Sequence, residues 1–247
     1  MLNHPTVTQL HRLGLFGMAK AFEEHLARPD GAALPFEDRL ALMVDREAAE
    51  RDGKRYAARL RHARLRHAAS VEDINWRAPR SLDRGLLQSL IAGRWIEAHE
   101  NVIVTGPTGV GKSWIACALG HKACRDDIAV LYQRLPRLAQ DLDLARGDGR
   151  YGRLLKSLAR ARLLILDDWG MAPLSPDQRR DLLEIMDDRH GRASTIITSQ
   201  FPVDHWHQLI GDPTLADAIL DRIVHNAHRL TLTGESLRRR NQPEQPE

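Results

Sequence analysis

The sequence has little of what marks secreted, membrane or zinc-binding proteins. Of its 247 residues only two are cysteines, and 5% are aromatic. No apolar run approaches the roughly 20 residues that a membrane-spanning helix needs. The first residues lack the charged start and apolar core of a secretory signal. We therefore expect a soluble, cytoplasmic protein that has no membrane partner.

Motifs for zinc binding and for nucleophilic catalysis are also absent. Cys117 and Cys124 lie on one predicted helix, which favours two core thiols over a disulfide or a metal pair. The twelve histidines are scattered, and no His-Glu-x-x-His or paired Cys-His spacing occurs. No Gly-x-Ser-x-Gly motif is present either. Zinc chemistry and serine hydrolysis therefore have no candidate residues.

An excess of one charge is missing as well. The net charge is only +3, although the pI is near 9.1 and most basic residues are arginine. Arginine suits phosphate recognition because its planar fork matches phosphate oxygens. The total charge is weak evidence for a nucleic-acid partner, so the distribution of the basic residues must decide.

What the sequence does contain is a complete phosphate-binding loop. Residues 106–113 read Gly-Pro-Thr-Gly-Val-Gly-Lys-Ser, after the apolar run 102–104 and before a helical stretch from Trp114. Glycines let successive N–H groups point at phosphate oxygens, and the start of the following helix favours the same anion. We expect Lys112 to reach the β- and γ-phosphates and Ser113 to be a ligand of Mg²⁺. The predicted nucleotide-binding residues are Gly106, Pro107, Thr108, Gly109, Val110, Gly111, Lys112, Ser113 and Trp114.

A second apolar strand ends in two carboxylates. Residues 163–166, Leu-Leu-Ile-Leu, precede Asp167 and Asp168 in a Walker B pattern. Acids at the carboxyl end of a central parallel strand lie where open α/β sheets bind ligands. We expect Asp167 to hold Mg²⁺ through its water shell and Asp168 to polarise the attacking water as a general base. The alternative is that the two acids only cap a strand before a turn.

A third apolar strand, residues 194–199, is followed by Gln200. A polar side chain at this strand tip would face the γ-phosphate from between the two Walker strands. Ser199 or Gln200 is therefore a candidate for positioning the water. The alternative is an ordinary polar residue at a strand end.

Two basic segments are candidate nucleic-acid contacts. Residues 51–66 carry seven arginines and lysines against a single acid, and a helix with this charge could lie along a phosphate backbone. For this segment a solvated helix face is the alternative. In the second segment Arg153, Lys156 and Arg160 recur at helical spacing and share one face. The residues predicted to contact nucleic acid are Arg51, Lys54, Arg55, Arg59, Arg64, Arg150, Arg153 and Lys156.

The pattern of apolar residues predicts an α/β protein with a five-stranded parallel sheet flanked by helices, behind a small all-α N-terminal domain. Single helices are expected over 6–27 and 81–99, and a longer one over 35–67 with a possible break at Gly53. The predicted divisions are a helical domain (1–69), a linker (70–80), a nucleotide-binding domain (81–238) and a disordered, Pro- and Glu-rich tail (239–247).

Several of these stretches together resemble a known family. They are Gly-Pro-Thr-Gly-Val-Gly-Lys-Ser, Leu-Leu-Ile-Leu-Asp-Asp-Trp-Gly, Ile-Ile-Thr-Ser-Gln-Phe-Pro, Asp-Arg-Ile-Val-His-Asn-Ala-His-Arg and Gly-Glu-Ser-Leu-Arg. The chain resembles IstB, the AAA+ ATPase encoded beside the transposase in a large group of bacterial insertion sequences. That family is similar to the helicase loader DnaC and, more distantly, to the initiator DnaA. The resemblance covers nearly the whole chain, and its last two stretches are the most specific.

The resemblance implies an AAA+ core that binds ATP and Mg²⁺ and hydrolyses ATP. It further implies a homo-oligomer with ATP-bridged interfaces that forms on double-stranded DNA, deforms it, and passes the target site to the cognate transposase. The basic helical pieces between Arg134 and Arg160 match an insertion that faces nucleic acid in the initiator group. Too few residues follow Leu232 for a helical lid, which fits the IstB group and leaves Arg238 without its usual scaffold.

Residue by residue, the resemblance also implies an arginine finger. Arg222 matches the cation that reaches the γ-phosphate of the neighbouring subunit. The alternative for Arg222 is a salt bridge to Asp217 or Asp221 within its own helix. The predicted catalytic residues are then Lys112, Asp168, Gln200 and Arg222.

Two other functions stay open at this stage. A DnaC-like helicase loader would dock a protein partner through its helical N-terminus, and the basic segment 51–66 speaks mildly against that. A small-molecule kinase would need a separate acceptor pocket, and the tandem acids Asp167 and Asp168 favour hydrolysis instead.

Overall fold

The computed structural model describes residues 4–27 and 34–237. The chain forms two compact units, Met1–Ala58 and Arg59–Glu247. The predicted domain boundary at residue 69 therefore lies inside the second unit. Within the described ranges, no helix is both long enough and apolar enough to cross a bilayer. Arg238 and the tail 239–247 lie outside the described residues.

The first unit is helical, as predicted, but its helices begin and end at different residues. It contains α1 (Pro5–Arg12), α2 (Phe16–Ala27) and most of α3 (Phe36–Ala63). The predicted single helix 6–27 is divided because the chain turns at Gly14, which has a φ of +72°. The predicted break at Gly53 does not occur, and α3 continues through it.

Within the first unit, Glu47 of α3 caps the start of α2. Its carboxylate accepts hydrogen bonds from the backbone N–H groups of Gly17 at 2.7 Å and Met18 at 3.1 Å. The first turn of a helix leaves such N–H groups without helical partners, so a buried carboxylate there stabilises the helix.

The second unit is an α/β layer structure around one sheet. Its helices are α4 (Arg84–Ile91), α5 (Arg94–Glu97), α6 (Lys112–Arg125), α7 (Leu135–Gly147), α8 (Tyr151–Arg160), α9 (Pro176–Arg189), α10 (Trp206–Ile210) and α11 (Pro213–Val224). Its strands are β1 (Asn101–Thr105), β2 (Val130–Arg134), β3 (Leu163–Trp169), β4 (Ser194–Ser199) and β5 (Ala227–Thr231). All strand pairs are parallel, in the order β2-β3-β4-β1-β5, which confirms the predicted five-stranded sheet.

The strands are apolar because helices cover both faces of the sheet. Every residue of β1 and β4 is buried, as in the central strands of other parallel sheets. On one face the core includes Trp169 and Trp206, whose rings lie 5.0 Å apart, together with apolar side chains of α7, α9 and α11. The predicted helix 81–99 is interrupted at Gly93, which has a φ of +81°, so α4 and α5 are separate.

The position of β4 determines where the site forms. β4 pairs with β1, where Thr105 lies beside Ser199, and with β3, where Leu166 lies beside Ile197. The strand that leads into the phosphate loop and the strand that ends in the two acids are therefore separated by β4. The tip of β4 lies between them, as the sequence predicted.

Residues 70–80 differ from the predicted linker because they pack into the second unit. Val71 and Ile74 are buried, and a short 3₁₀ turn covers Val71–Asp73. The backbone N–H of Thr233, just after β5, donates to the carbonyl of Arg80 at 3.0 Å. In the described part of the chain, which ends at residue 237, no helix follows β5.

Candidate functional site

A cavity of about 420 Å³ opens at the carboxyl edge of the sheet. Many of the predicted nucleotide-binding and catalytic residues line it together: Thr108, Gly109, Gly111, Lys112, Ser113, Trp114, Asp168 and Gln200. Three arginines that the sequence analysis did not assign to this site also line it, namely Arg66, Arg80 and Arg134. Together with Lys112, these arginines bring four cations to the cavity, which suits it to a polyanion.

The phosphate loop is held by short backbone contacts. The N–H of Gly106 donates to the carbonyl of Ser199 at 3.2 Å, which fixes the loop to the tip of β4. Gly106 has a φ of +144°, and a Cβ there would overlap the Leu232 carbonyl oxygen, so only glycine fits. The ammonium group of Lys112 donates to the carbonyl of Pro107 at 2.8 Å across the loop.

Asp167 is completely buried and surrounded by hydroxyl donors. Its carboxylate accepts hydrogen bonds from Ser113 Oγ at 2.7 Å, from the Tyr132 hydroxyl at 2.5 Å and from Thr198 Oγ1. Burial by itself raises the pKa of Asp167, but these hydrogen bonds outweigh it and hold the pKa below its usual value. The group is therefore ionised at neutral pH.

The two residues predicted to hold Mg²⁺, Ser113 and Asp167, are joined by that 2.7 Å hydrogen bond. A carboxylate and a hydroxyl oxygen beside a phosphate loop fit this ion, which takes few protein ligands and completes its shell with phosphate oxygens and water. Among the described residues no cluster of three or more His, Cys, Asp or Glu side chains could hold a metal by itself.

Asp168 follows directly but its carboxylate faces the cavity. Its φ is +64°, in the left-handed region, at an irregularity in the pairing of β3 with β4. One carboxylate oxygen accepts from Arg134 Nε at 2.7 Å and lies 3.8 Å from the Arg66 guanidinium. A carboxylate in this position can accept a proton from a water molecule in the cavity.

Arg66, Tyr132 and Arg134 are the residues around the acids that the sequence analysis missed. Arg66 lies 3.5 Å from Asp167, and Arg134 is the register partner of Asp167 at the end of β2. The parallel pairing of β2 with β3 would have placed Arg134 at this edge, once the order of the strands was known. Arg66 has no comparable signal because it comes from the loop after α3.

Ser199 and Gln200 are the two candidates at the tip of β4, and of these Gln200 lines the cavity. The side-chain oxygen of Gln200 accepts from Thr108 Oγ1 at 2.7 Å. Ser199 is buried, and its hydroxyl donates to the carbonyl of Trp169 at 2.9 Å. Ser199 therefore holds neighbouring strands together, and Gln200 is the strand-tip residue available to a ligand.

Arg222 lies at the opposite edge of the sheet. Its backbone carbonyl accepts from Asn101 Nδ2 at 3.3 Å, and Asn101 begins β1. Its guanidinium pairs with Asp187 of α9 and donates to the carbonyl of Ala218 at 2.7 Å. The structure thus contains neither of the predicted intrahelical salt bridges, and it does not bring Arg222 into the cavity of its own chain.

Three of the predicted nucleic-acid contacts lie on α3 in the first unit and pair with acids of the same helix. The pairs on α3 join Arg51 to Glu47, Lys54 to Glu50 and Arg55 to Asp52. All three cations remain more than half exposed. This part of the predicted nucleic-acid surface therefore carries less unbalanced charge than its sequence suggests.

The other predicted nucleic-acid contacts fall into two groups. Arg59 donates to the carbonyl of Cys124 at 3.0 Å and pairs with Asp127, so it is tied to the end of α6. Arg150 pairs with Asp148. By contrast, Arg64, Arg153 and Lys156 line two open cavities, and no carboxylate among the described residues pairs with them.

Arg153, Lys156 and Arg160 line a cavity of about 550 Å³ together with His62. It is larger than the cavity at the phosphate loop, but it holds neither of the acids nor the loop. We therefore place the chemistry at the smaller cavity, and the three cations of α8 form a separate basic surface.

Comparison with known proteins identifies relatives over nearly the whole length. The family model of IstB-like ATP-binding proteins matches residues 8–245. Two of these relatives are named as putative ATP-binding proteins of insertion sequences. One, from Sinorhizobium fredii, is 59% identical over 97% of this chain and 98% of its own length. The other, of IS21 from Pseudomonas aeruginosa, is 33% identical over 95% of this chain and 89% of its own.

Solved structures show the same fold in more distant proteins. The DnaI structure matches with a TM-score of 0.58 and 21% identity, over 67% of this chain and 92% of that one. The DnaC helicase loader matches with a TM-score of 0.51 and 21% identity, over 59% of this chain and 85% of that one. The second unit thus has the fold of these two proteins, which agrees with the fold that the sequence predicted.

Proposed function

The chain belongs to the family of IstB-like ATP-binding proteins, and we propose that it is a Mg²⁺-dependent ATPase that assembles on double-stranded DNA and presents the target to a transposase. One observation carries the hydrolytic part of the proposal. Asp167 is bonded to Ser113 of the phosphate loop, while the next residue, Asp168, faces the same cavity. A ligand of Mg²⁺, Asp167, and a general base, Asp168, would therefore both lie beside the phosphates of one bound ATP. The free thiols and the DNA partner fit a cytoplasmic protein.

Each residue of the cavity has a separate role in the proposed hydrolysis. The backbone N–H groups of the phosphate loop hold the phosphates, and Lys112 neutralises charge on them. Ser113 and Asp167 would hold Mg²⁺, which supplies further charge neutralisation when bound. Asp168 takes the proton of the attacking water, and Gln200 orients that water from the tip of β4.

Arg222 completes the proposed site in an assembly. Phosphoryl transfer to water is accelerated by a cation at the γ-phosphate, and that cation can come from another subunit. Arg222 lies at the edge of the sheet opposite its own phosphate loop, so it would serve a second copy of the chain. ATP at such a seam favours the oligomer, and hydrolysis weakens it.

DNA contact is proposed for the basic surface of α8. Arg153 and Lys156 are exposed and form no salt bridge among the residues that the structure describes, so their charge is available to phosphates. Arginine and lysine contacts to the backbone carry little sequence information. We therefore expect slight sequence preference.

The experiment is electron microscopy and sedimentation of the purified protein with Mg²⁺ and ATP, with and without duplex DNA. We expect assemblies that need nucleotide and that grow on DNA. Lys112→Ala should abolish nucleotide-dependent assembly. Asp168→Asn should assemble normally and hydrolyse ATP about 10²- to 10⁴-fold more slowly, the range for a lost general base.

Two outcomes would contradict the proposal. A wild-type protein that stays monomeric and ignores DNA, with or without ATP, would exclude the assembly. Normal hydrolysis by Asp168→Asn would exclude that residue as the base. Capture of a replicative helicase but no transposase in a matched pull-down would favour a helicase loader instead.

A further inference from the structure

Arg80 is a buried arginine whose hydrogen bonds are incomplete. The residue is 3% exposed. Its guanidinium reaches two carbonyls at long distances, Val110 at 3.4 Å and Asn75 at 3.3 Å. Nε has no hydrogen-bond partner, and no carboxylate pairs with Arg80, within the described ranges 4–27 and 34–237. Burial lowers the pKa of Arg80, with no nearby acid to oppose it.

Arg189 shows how this fold buries an arginine that has only a structural role. It is 2% exposed, and its guanidinium donates to the carbonyls of Leu158 and Ala161 at 2.7 Å each. It also bonds to Thr195 Oγ1 at 3.1 Å and to the carbonyl of Ser194. Burying a charge without such partners is costly, so Arg80 lacks an acceptor that Arg189 has.

The place of Arg80 indicates what that acceptor is. Arg80 lines the cavity at the phosphate loop. A Cβ at Gly111 would lie 2.7 Å from its NH1 atom, so the guanidinium lies directly on the loop backbone where α6 begins. The start of a helix after a glycine loop attracts phosphate, and the arginine fork matches phosphate oxygens.

We propose that Arg80 is a nucleotide-binding residue whose guanidinium donates to a phosphate oxygen on the Gly111 side of the loop. The inference rests on the proposed function, because it requires that the cavity holds a nucleotide. The two contacts of Arg80 go to Val110 and Asn75, whereas Asp168 and Gln200 mark the side where water attacks. The phosphate concerned is therefore one that ATP and ADP share. The Thr233 N–H holds the Arg80 backbone in place.

The test compares Arg80→Met with Arg189→Met in the full chain. Affinities for ADP and for a non-hydrolysable ATP analogue are measured by calorimetry, and the melting temperature is measured without nucleotide. Arg80→Met should bind both nucleotides about 10- to 100-fold more weakly, the loss typical of a hydrogen bond to a charged group. Its melting temperature should stay equal or rise, because a poorly compensated buried charge is removed.

Arg189→Met should behave in the opposite way. Its melting temperature should fall, because several carbonyls lose their donor, and the affinity of the folded protein should stay within about twofold. Arg80→Lys keeps the charge without the fork and should have intermediate affinity.

A lower melting temperature with unchanged affinity in Arg80→Met would overturn the inference and make Arg80 structural. If the melting temperature and the nucleotide affinity of Arg80→Met both fall, the affinity of Arg80→Lys distinguishes the two explanations. Wild-type affinity in Arg80→Lys would also overturn the inference. Lys112→Ala separates this failure from failure of the proposed function. If Lys112→Ala loses binding and Arg80→Met does not, only the role of Arg80 is wrong. If the wild type binds no nucleotide, both proposals are wrong.

Discussion

At the scale of single residues, Asp167 and Asp168 show how one backbone angle places two neighbouring carboxylates in different environments. Asp167 is buried among Ser113, Tyr132 and Thr198, whereas Asp168 has a φ of +64° and faces the cavity. Aspartate and asparagine adopt left-handed backbone angles more readily than other residues with a side chain. Asp168→Asn therefore tests the carboxylate without disturbing this backbone.

Gly109 is a second position in the loop, after Gly106, where an added methyl group should destabilise the fold. Its φ is +88°, and a Cβ there would lie 2.7 Å from Cβ and 3.0 Å from Cα of Ser236. Gly109→Ala should lower the free energy of unfolding by about 1–3 kcal/mol, since it adds strain to a close contact. Denaturant unfolding measures this change.

Gly152→Ala is the matched control. Gly152 lies inside α8, and a Cβ there meets nothing within 4 Å. This substitution should raise the free energy of unfolding by about 0.5–1 kcal/mol, because alanine favours the helix. Equal effects from the two substitutions would show that the packing of Ser236 on the loop does not matter.

The two thiols should be inert in the folded protein. Burial raises the pKa of Cys124 to about 11 and also raises the pKa of Cys117. The thiolate is the reactive form, so neither cysteine should react with a disulfide reagent at pH 8, and both should react after unfolding in urea. Fast modification of the native protein would contradict the burial of α6.

At the scale of helices and strands, the sequence predicted what local patterns can determine. The phosphate loop, the two acids and the strands β1, β3 and β4 were found because each has an apolar run or a fixed spacing. The single helices over 6–27 and 81–99 were wrong, since Gly14 and Gly93 turn the chain there. Apolar periodicity continues across such a turn and gives no sign of it.

Contacts across the sheet were beyond the sequence. Arg66, Arg80 and Arg134 reach the cavity from three different segments, and only the strand order brings those segments together. Arg59 shows the reverse error, because a basic run suggested an exposed cation while the fold pairs it with Asp127. Where the partner of a charged residue lies far along the chain, as Asp127 does from Arg59, neighbouring residues do not predict it.

The helix α8 provides a test of the DNA contact. The double substitution Arg153→Ala, Lys156→Ala should lower the slope of log affinity against log salt by about two units, close to one for each lost phosphate contact. Arg55→Ala is the control, since Asp52 already pairs with that arginine, and it should change the slope little. An unchanged slope in the double variant would remove α8 from the contact surface. Fluorescence anisotropy on a labelled duplex gives both numbers.

At the scale of the whole molecule, Arg222 and the phosphate loop lie at opposite edges of one sheet. If Arg222 serves a neighbouring subunit, each seam uses two different surfaces of the protein. Such head-to-tail contacts produce rings or open helices, whereas a two-fold dimer repeats one surface. The oligomer should therefore contain more than two subunits.

Mixing two inactive variants tests the action of Arg222 in trans. Arg222→Ala lacks the proposed finger and Asp168→Asn lacks the proposed base, so each variant alone should hydrolyse ATP poorly. In an equal mixture about a quarter of the head-to-tail seams combine an intact base with an intact finger, so activity should partly return. A mixture as inactive as its components would mean that Arg222 acts within its own chain or not at all.

Because β4 lies between β1 and β3, the nucleotide site should form late during synthesis of the chain. β1 and β3 are both synthesised before β4, yet β4 lies between them in the sheet. A nascent polypeptide that has emerged from the ribosome only to residue 193 cannot bring Lys112 and Asp167 to their final separation. Protection of stalled chains from protease by ATP should therefore begin only after residues 194–199 have left the exit tunnel.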